Sequence, residues 1–207
     1  MSKDLESLDR PIIGKSSIHI CVDMQRLFAE ETEWQTPWML RVLPQVVTLV
    51  EAHPNRTLFT RFIPLENPAQ GTGTWRRYYE HWSSMTLGKL GRERVELVPE
   101  LSAFVPPARV FDKRVYSPWL FGNLHGQLQK QSIDTLIISG GETDVCVLST
   151  VLGGVDRGYR IVLVKDALCS SSDETHDALL RVYESRFGQQ IEVRLVEEVL
   201  SMWSAGS

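Results

Sequence analysis

The stretch IDTLIISGGETDVCVLSTVLGGV, residues 133–155, decides how this chain is read. Ile133 to Ser139 is a short, nearly continuous apolar run, as expected of a strand buried on both faces. Gly140 and Gly141 then turn the chain. Beyond Glu142-Thr143-Asp144, the residues Val145, Leu148, Val151, Leu152 and Val155 recur at helical spacing, and Gly158 closes the pattern. Cys146 stands in the first turn of that helix. It is either an ordinary core thiol beside a strand-to-helix turn or a nucleophile presented on an elbow. Backbone N–H groups in a first helical turn lack partners. They favour a thiolate and can hold an oxyanion.

Similar strand and helix patterns extend in both directions. Short β-branched runs occur at Ser17–Val22, Thr57–Phe62, Arg109–Asp112, Thr135–Ile138, Arg160–Val164 and Ile191–Val196. Helical patterns lie between them. One starts with Pro44 in its first turn and runs through Glu51. Others cover Thr74 to Met85, Leu120 to Lys130, and Asp173 towards Phe187, the last capped by Ser172 and stopped by Gly188. Strands alternating with helices predict an α/β fold. The expected architecture is one three-layer domain over residues 1–207, with a core from about 17 to 196. Its six-stranded, mostly parallel sheet is flanked by helices.

In such sheets ligands bind at the carboxyl ends of the strands, near the switch in strand order. The residues found there are Asp23, Arg61, Lys113, Cys146 and the pair Lys165-Asp166. A carboxylate to take a thiol proton and an ammonium to favour the anion are what a cysteine nucleophile needs. Asp23 can also be read as a helix cap, Lys113 as a solvated lysine and Arg61 as a surface ion-pair partner. Asp166 reads as structural, Cys21 as core, and Cys169 as a bystander in a polar loop open to oxidation.

Composition limits the partners. The chain has 207 residues, 43% of them hydrophobic and 23% charged, with a formal net charge of -4. No long basic run is present, which argues against nucleic acid. No apolar run approaches the ~20 residues needed to span a bilayer, and the polar start MSKDLESLDR lacks a signal peptide's apolar core. Three cysteines without a CxxC pair argue against a disulfide framework and fit a reducing, cytoplasmic compartment. The five histidines show no ligand spacing, so no metal site or cofactor is expected.

Four motifs in order carry a resemblance. They are Asp23-Met24-Gln25, Asp112-Lys113-Arg114-Val115-Tyr116-Ser117, Gly140 through Val147, and the run from Gly158 to Ala167. Together they resemble the isochorismatase-like cysteine hydrolases, which include nicotinamidases and N-carbamoylsarcosine amidase. The likeness runs from about residue 17 to 196. It implies Asp23 as base, Lys113 as the group that holds the charged pair, and Cys146 as nucleophile. It also implies a cis peptide at Gly141–Glu142, with the N–H groups of Glu142 and Cys146 forming an oxyanion hole. Glu142 replaces the small residue usual at its position.

Nicotinamidases carry an Asp-x-His metal motif after the second strand. Arg61 and Ile63 occupy the matching positions, which points away from a catalytic metal and from nicotinamidase activity. The implied reaction is hydrolysis of a small linear amide, carbamoyl or ureido C–N bond through a thioester. Arg61, Trp34 and Trp119 are the expected substrate contacts. Trp75, Tyr78, Tyr79 and Trp82 either wall the pocket or pack an interface. A homo-oligomer, dimer or tetramer, is expected. The alternatives are an isochorismatase-type vinyl-ether hydrolase, a non-catalytic scaffold of the same fold, and a redox sensor pairing Cys146 with Cys169.

Overall fold

The structure, a computed structural model, describes residues 13–203. Six strands in that span, β1 (Ser17–Val22), β2 (Thr57–Phe62), β3 (Arg109–Lys113), β4 (Thr135–Gly141), β5 (Arg160–Cys169) and β6 (Ile191–Arg194), form one sheet. Every pairing is parallel, in the order β3-β2-β1-β4-β5-β6. Successive strands march outward from β1 to β3, then restart on its other side with β4. The switch in strand order therefore lies between β1 and β4, where Val22 pairs with Gly140. Those are the residues immediately ahead of Asp23 and the Cys146 turn.

The helices are α1 (Arg26–Ala29), α2 (Met39–Ala52), α3 (Thr74–His81), α4 (Leu87–Leu90), α5 (Pro99–Ser102), α6 (Leu124–Lys130), α7 (Leu148–Val155), α8 (Asp173–Arg186) and α9 (Val196–Met202). Alternation along the strands sorts the core into two layers. Cys21, Phe59, Ile137, Val162 and Val164 face Val46, Leu49 and Val50 of α2 and Val199 of α9. Ile18, Ile20, Leu136, Ile138 and Leu163 face Leu124 and Leu128 of α6, Val151 of α7 and Tyr183 of α8. A third, smaller cluster joins Leu27 to Met85, Leu87 and Val95, with Trp34 and Trp82 packed on it. It seats the segment between β2 and β3.

Several boundaries differ from the sequence expectation, each for a local reason. α2 begins five residues before Pro44, which lies inside it. Pro44 and Leu40 are both exposed, so the carbonyl deprived of its donor lies on the wet side. β5 does not stop at Val164. Its register against β4 shifts between Ile138 and Gly140, and the strand resumes to Cys169. Asp166, inside that irregular stretch, accepts a 2.9 Å hydrogen bond from the Val196 N–H and fixes the start of α9. Glu198 caps the same helix by accepting from the Leu195 N–H at 2.7 Å. The helix expected from Leu120 starts at Leu124, where Asn123 accepts from the Gly126 N–H.

Candidate active site

The three residues expected to act together meet at the carboxyl ends of β1, β3 and β4. Asp23 leaves β1 with a positive φ of 50°. Its N–H donates to the carbonyl and hydroxyl of Thr60, each at 3.2 Å, and Thr60 donates its own hydroxyl back to Asp23 Oδ1 at 2.6 Å. Two positions on, Gln25 clamps the end of β2. It accepts from the Phe62 N–H at 2.7 Å and donates to the carbonyls of Phe62 and Val95. The Asp-x-Gln motif thus holds β1 to β2 while leaving Asp23 Oδ2 free for Lys113.

Lys113, the last residue of β3, brings its ammonium to Asp23 Oδ2 at 2.6 Å and to Cys146 Sγ at 3.4 Å. It also donates to the Val115 carbonyl at 3.3 Å. An ammonium has three protons, and these three acceptors account for them. The side chains of Asp23 and Lys113 are each 1% exposed. Phe62 lies beneath the ammonium, with Nζ 5.2 Å from the ring centroid.

Cys146 sits in a single π-helical turn, Thr143–Val147, that leads into α7. The Gly141–Glu142 peptide is cis. The Glu142 carbonyl accepts from the N–H groups of Val145 and Val147, at 3.1 and 3.0 Å, which shapes the turn. Around it, Thr143 donates to the Cys169 carbonyl, and Asp144 accepts from the hydroxyls of Ser170 and Thr175. Gly140 permits the approach of β1. With φ at +101°, a Cβ there would meet the Val22 carbonyl oxygen at 2.1 Å.

Burial pushes the Cys146 thiol above the ordinary thiol range. The Lys113 ammonium works against that shift, and the Asp23 carboxylate adds to it. Burial also opposes the charge on Lys113. Asp23 and Cys146 outweigh it, and the lysine is held above its usual value. Asp23 and Cys146 share the Lys113 ammonium, at 2.6 and 3.4 Å. Moving the thiol proton to Asp23 leaves the net charge of the three groups unchanged. In a site this dry, that route avoids creating an isolated buried charge.

A cavity of about 340 Å³ opens over Cys146. Its walls include Phe28, Trp34, Phe62, Tyr78, Trp82 and Tyr116, with Glu33, Glu142 and Ser171 among the polar residues. Trp34 is therefore where the sequence placed it. Arg61 and Trp119 are not. The Arg61 guanidinium is taken by Asp112 on the neighbouring strand and by Glu96, and Arg61 does not line the cavity. Trp119 is 8% exposed, donates its indole N–H to the Thr150 carbonyl at 2.9 Å and stacks on Tyr159. It packs the layer between β4 and α7.

Cys169 is also corrected. It is fully buried at the end of β5, not in an open loop, with burial raising its thiol well above the ordinary range. The Glu142 side chain, unplaced by sequence reasoning, accepts from the Ser171 N–H at 2.9 Å and from the Thr36 hydroxyl. Phe28 and Tyr116 were missed as wall residues, although Tyr116 lies in the Lys113 motif. Among the described residues, no cluster of three His, Cys, Asp or Glu side chains is placed to hold a metal ion. No described helix is long and apolar enough to cross a membrane.

The all-parallel doubly wound sheet places this polar cluster at its switch point, where such folds bind ligands. The sequence model of the Isochorismatase domain matches residues 17–194, and the chain belongs to the isochorismatase family. Among curated relatives, the uncharacterized isochorismatase family protein YwoC of Bacillus subtilis is 32% identical over 51% of this chain and 57% of its own length. A probable inactive nicotinamidase of Arabidopsis thaliana is 27% identical, over 77% of this chain and 83% of its own. The fold is shared with a cysteine hydrolase of Pseudomonas syringae (TM-score 0.78, 22% identity, 94% of this chain and 98% of that one). It is also shared with N-carbamoylsarcosine amidase of Thermoplasma acidophilum (TM-score 0.70, 20% identity, 87% and 96%).

Proposed function

We propose that this chain is a cysteine-dependent amidohydrolase that cleaves a small linear amide, carbamoyl or ureido C–N bond through a thioester. The observation that carries the reading is the Lys113 ammonium at 2.6 Å from Asp23 and 3.4 Å from Cys146, with Cys146 lining an open cavity. Cys146 Sγ attacks the carbonyl carbon while Asp23 takes the thiol proton. Lys113 keeps the two acidic groups apart and favours the sulfur anion as it forms.

The carbonyl oxygen becomes an oxyanion, held by the N–H groups of Glu142 and Cys146. Asp23 then gives its proton to the nitrogen. The C–N bond breaks, ammonia or an amine leaves, and a thioester remains. Water adds to that thioester with Asp23 taking its proton. Collapse releases the acid and returns the proton to the thiol. The amidases among the solved neighbours support this bond type.

The test is ammonia release over a panel of small amides, carbamoyl compounds and ureido compounds, with Cys146→Ala alongside. A substrate that turns over in the wild type and loses about 10³-fold or more in kcat in the variant is the expected result. Retained turnover by Cys146→Ala overturns the thioester route.

A further inference from the structure

The cavity over Cys146 has a charge character that narrows the substrate class. We propose that it takes a small amide whose non-reacting end is a cation, an ammonium or quaternary ammonium. Amides ending in a carboxylate are disfavoured. The proposal rests on the amide-hydrolase reading of the same site.

Aromatic rings link the polar cluster to the cavity wall. Phe62 lies against Lys113, and Trp34 meets Phe62 with ring centroids 5.9 Å apart. Phe28, Tyr78 and Trp82 surround Trp34 at 6.3, 5.8 and 6.4 Å. Ring faces are negative, and a cation within ~6 Å of several of them is attracted to each. Two carboxylates join these rings in the wall, Glu33 and Glu142. Glu142 is pinned there by the Ser171 N–H, so its charge has a fixed position.

No lysine, arginine or histidine lines the cavity among the described residues. Arg114 lines a different cavity together with Lys113, and other cations on the flanking elements are engaged. Lys113 is paired with Asp23, Arg61 with Asp112 and Glu96, and Arg26 and Arg94 with Glu30. A substrate carboxylate would lose its water here, find no cationic partner and face two like charges. An ammonium or trimethylammonium group would meet ring faces and both carboxylates.

Three small primary amides separate the possibilities: betaine amide, its uncharged isostere tert-butylacetamide, and succinamate. Each is measured twice on the intact protein, by ammonia release and by protection of Cys146 against iodoacetamide. The order expected in both is betaine amide, then tert-butylacetamide, then succinamate, with at least about tenfold between the first two. Glu33→Gln, at an exposed position, and Glu142→Gln narrow the ratio of cation to isostere.

If the protection order holds and none of the three releases ammonia, the cation pocket stands and simple primary amides are excluded as its substrates. If ammonia is released but the isostere or succinamate equals the cation, the cation pocket fails and the amidase reading stands. Absence of both protection and turnover overturns the cation pocket. So does a cation-to-isostere ratio unchanged in both glutamate variants.

Discussion

Lys113 has two jobs, and they are separable by experiment. Its ammonium neutralises a carboxylate that is 1% exposed. Lys113→Met leaves that carboxylate buried without its partner, so urea unfolding should show a loss of about 3–5 kcal/mol. The same ammonium lowers the energy of the Cys146 thiolate against the burial that raises it. In the wild type, the rate of Cys146 alkylation should keep rising with pH beyond about 8.5, the value of a free thiol. In Lys113→Met the whole profile should move further up. A wild-type rate already level below neutral pH would contradict the burial argument. Cys21 and Cys169, each 0% exposed, should stay unlabelled in the native protein, with Cys146→Ala as the control.

Among the elements, β1 and β4 carry the tightest constraint. At the point where they hand the chain to Asp23 and to the Cys146 turn, Gly140 is pressed against the Val22 backbone. Gly140→Ala must push the two strands apart or unwind a positive φ. Its expected cost is more than about 2 kcal/mol, read by urea unfolding, with activity falling even under conditions where the variant stays folded.

The strands were legible in the sequence because parallel strands buried on both faces are continuous apolar runs. β1 and β2 fell on their expected residues. Helix starts were harder. Pro44 reads as a beginning, but an exposed proline can be tolerated inside a helix. The irregular part of β5 reads as an end, because Lys165 and Asp166 interrupt the apolar run while the pairing resumes beyond them. The final helix, Val196–Met202, passed unnoticed, since its first residues continued the pattern of β6.

At the scale of the molecule, the site splits into what spacing along the chain can convey and what it cannot. Asp23, Lys113 and Cys146 lie at strand ends, and the ends of parallel strands converge wherever the helices go. Arg61 and Trp119 were misplaced because reaching the right edge does not fix where a side chain points. The alternation at β2 and β3 turned Arg61 towards Asp112, and the packing of α7 drew Trp119 inward.

The centre of the sheet also sets how the protein responds to acid. His19 on β1 is fully buried between the hydroxyls of Ser139 and Thr57, and burial lowers its pKa from 6.5 to about 3, with the charge of His53 adding to the shift. Unfolded chains take up a proton at this histidine as pH falls through about 6.5, and the folded protein does not until about 3. Stability is therefore lost across that window, by up to about 5 kcal/mol from this group. Unfolding free energies of His19→Gln measured against pH should show a slope smaller by about one proton there.

The switch between β1 and β4 has one more consequence. Asp23 and Lys113 come from the strands on one side of that seam, and Cys146 comes from the other. Residues 13–131 hold the Asp23–Lys113 ion pair, and residues 132–203 hold the sulfur. Cutting between α6 and β4 would divide the site, so restored turnover on mixing would report docking of the two halves through the β1–β4 pairing and the packing of α2 on β5 and α9.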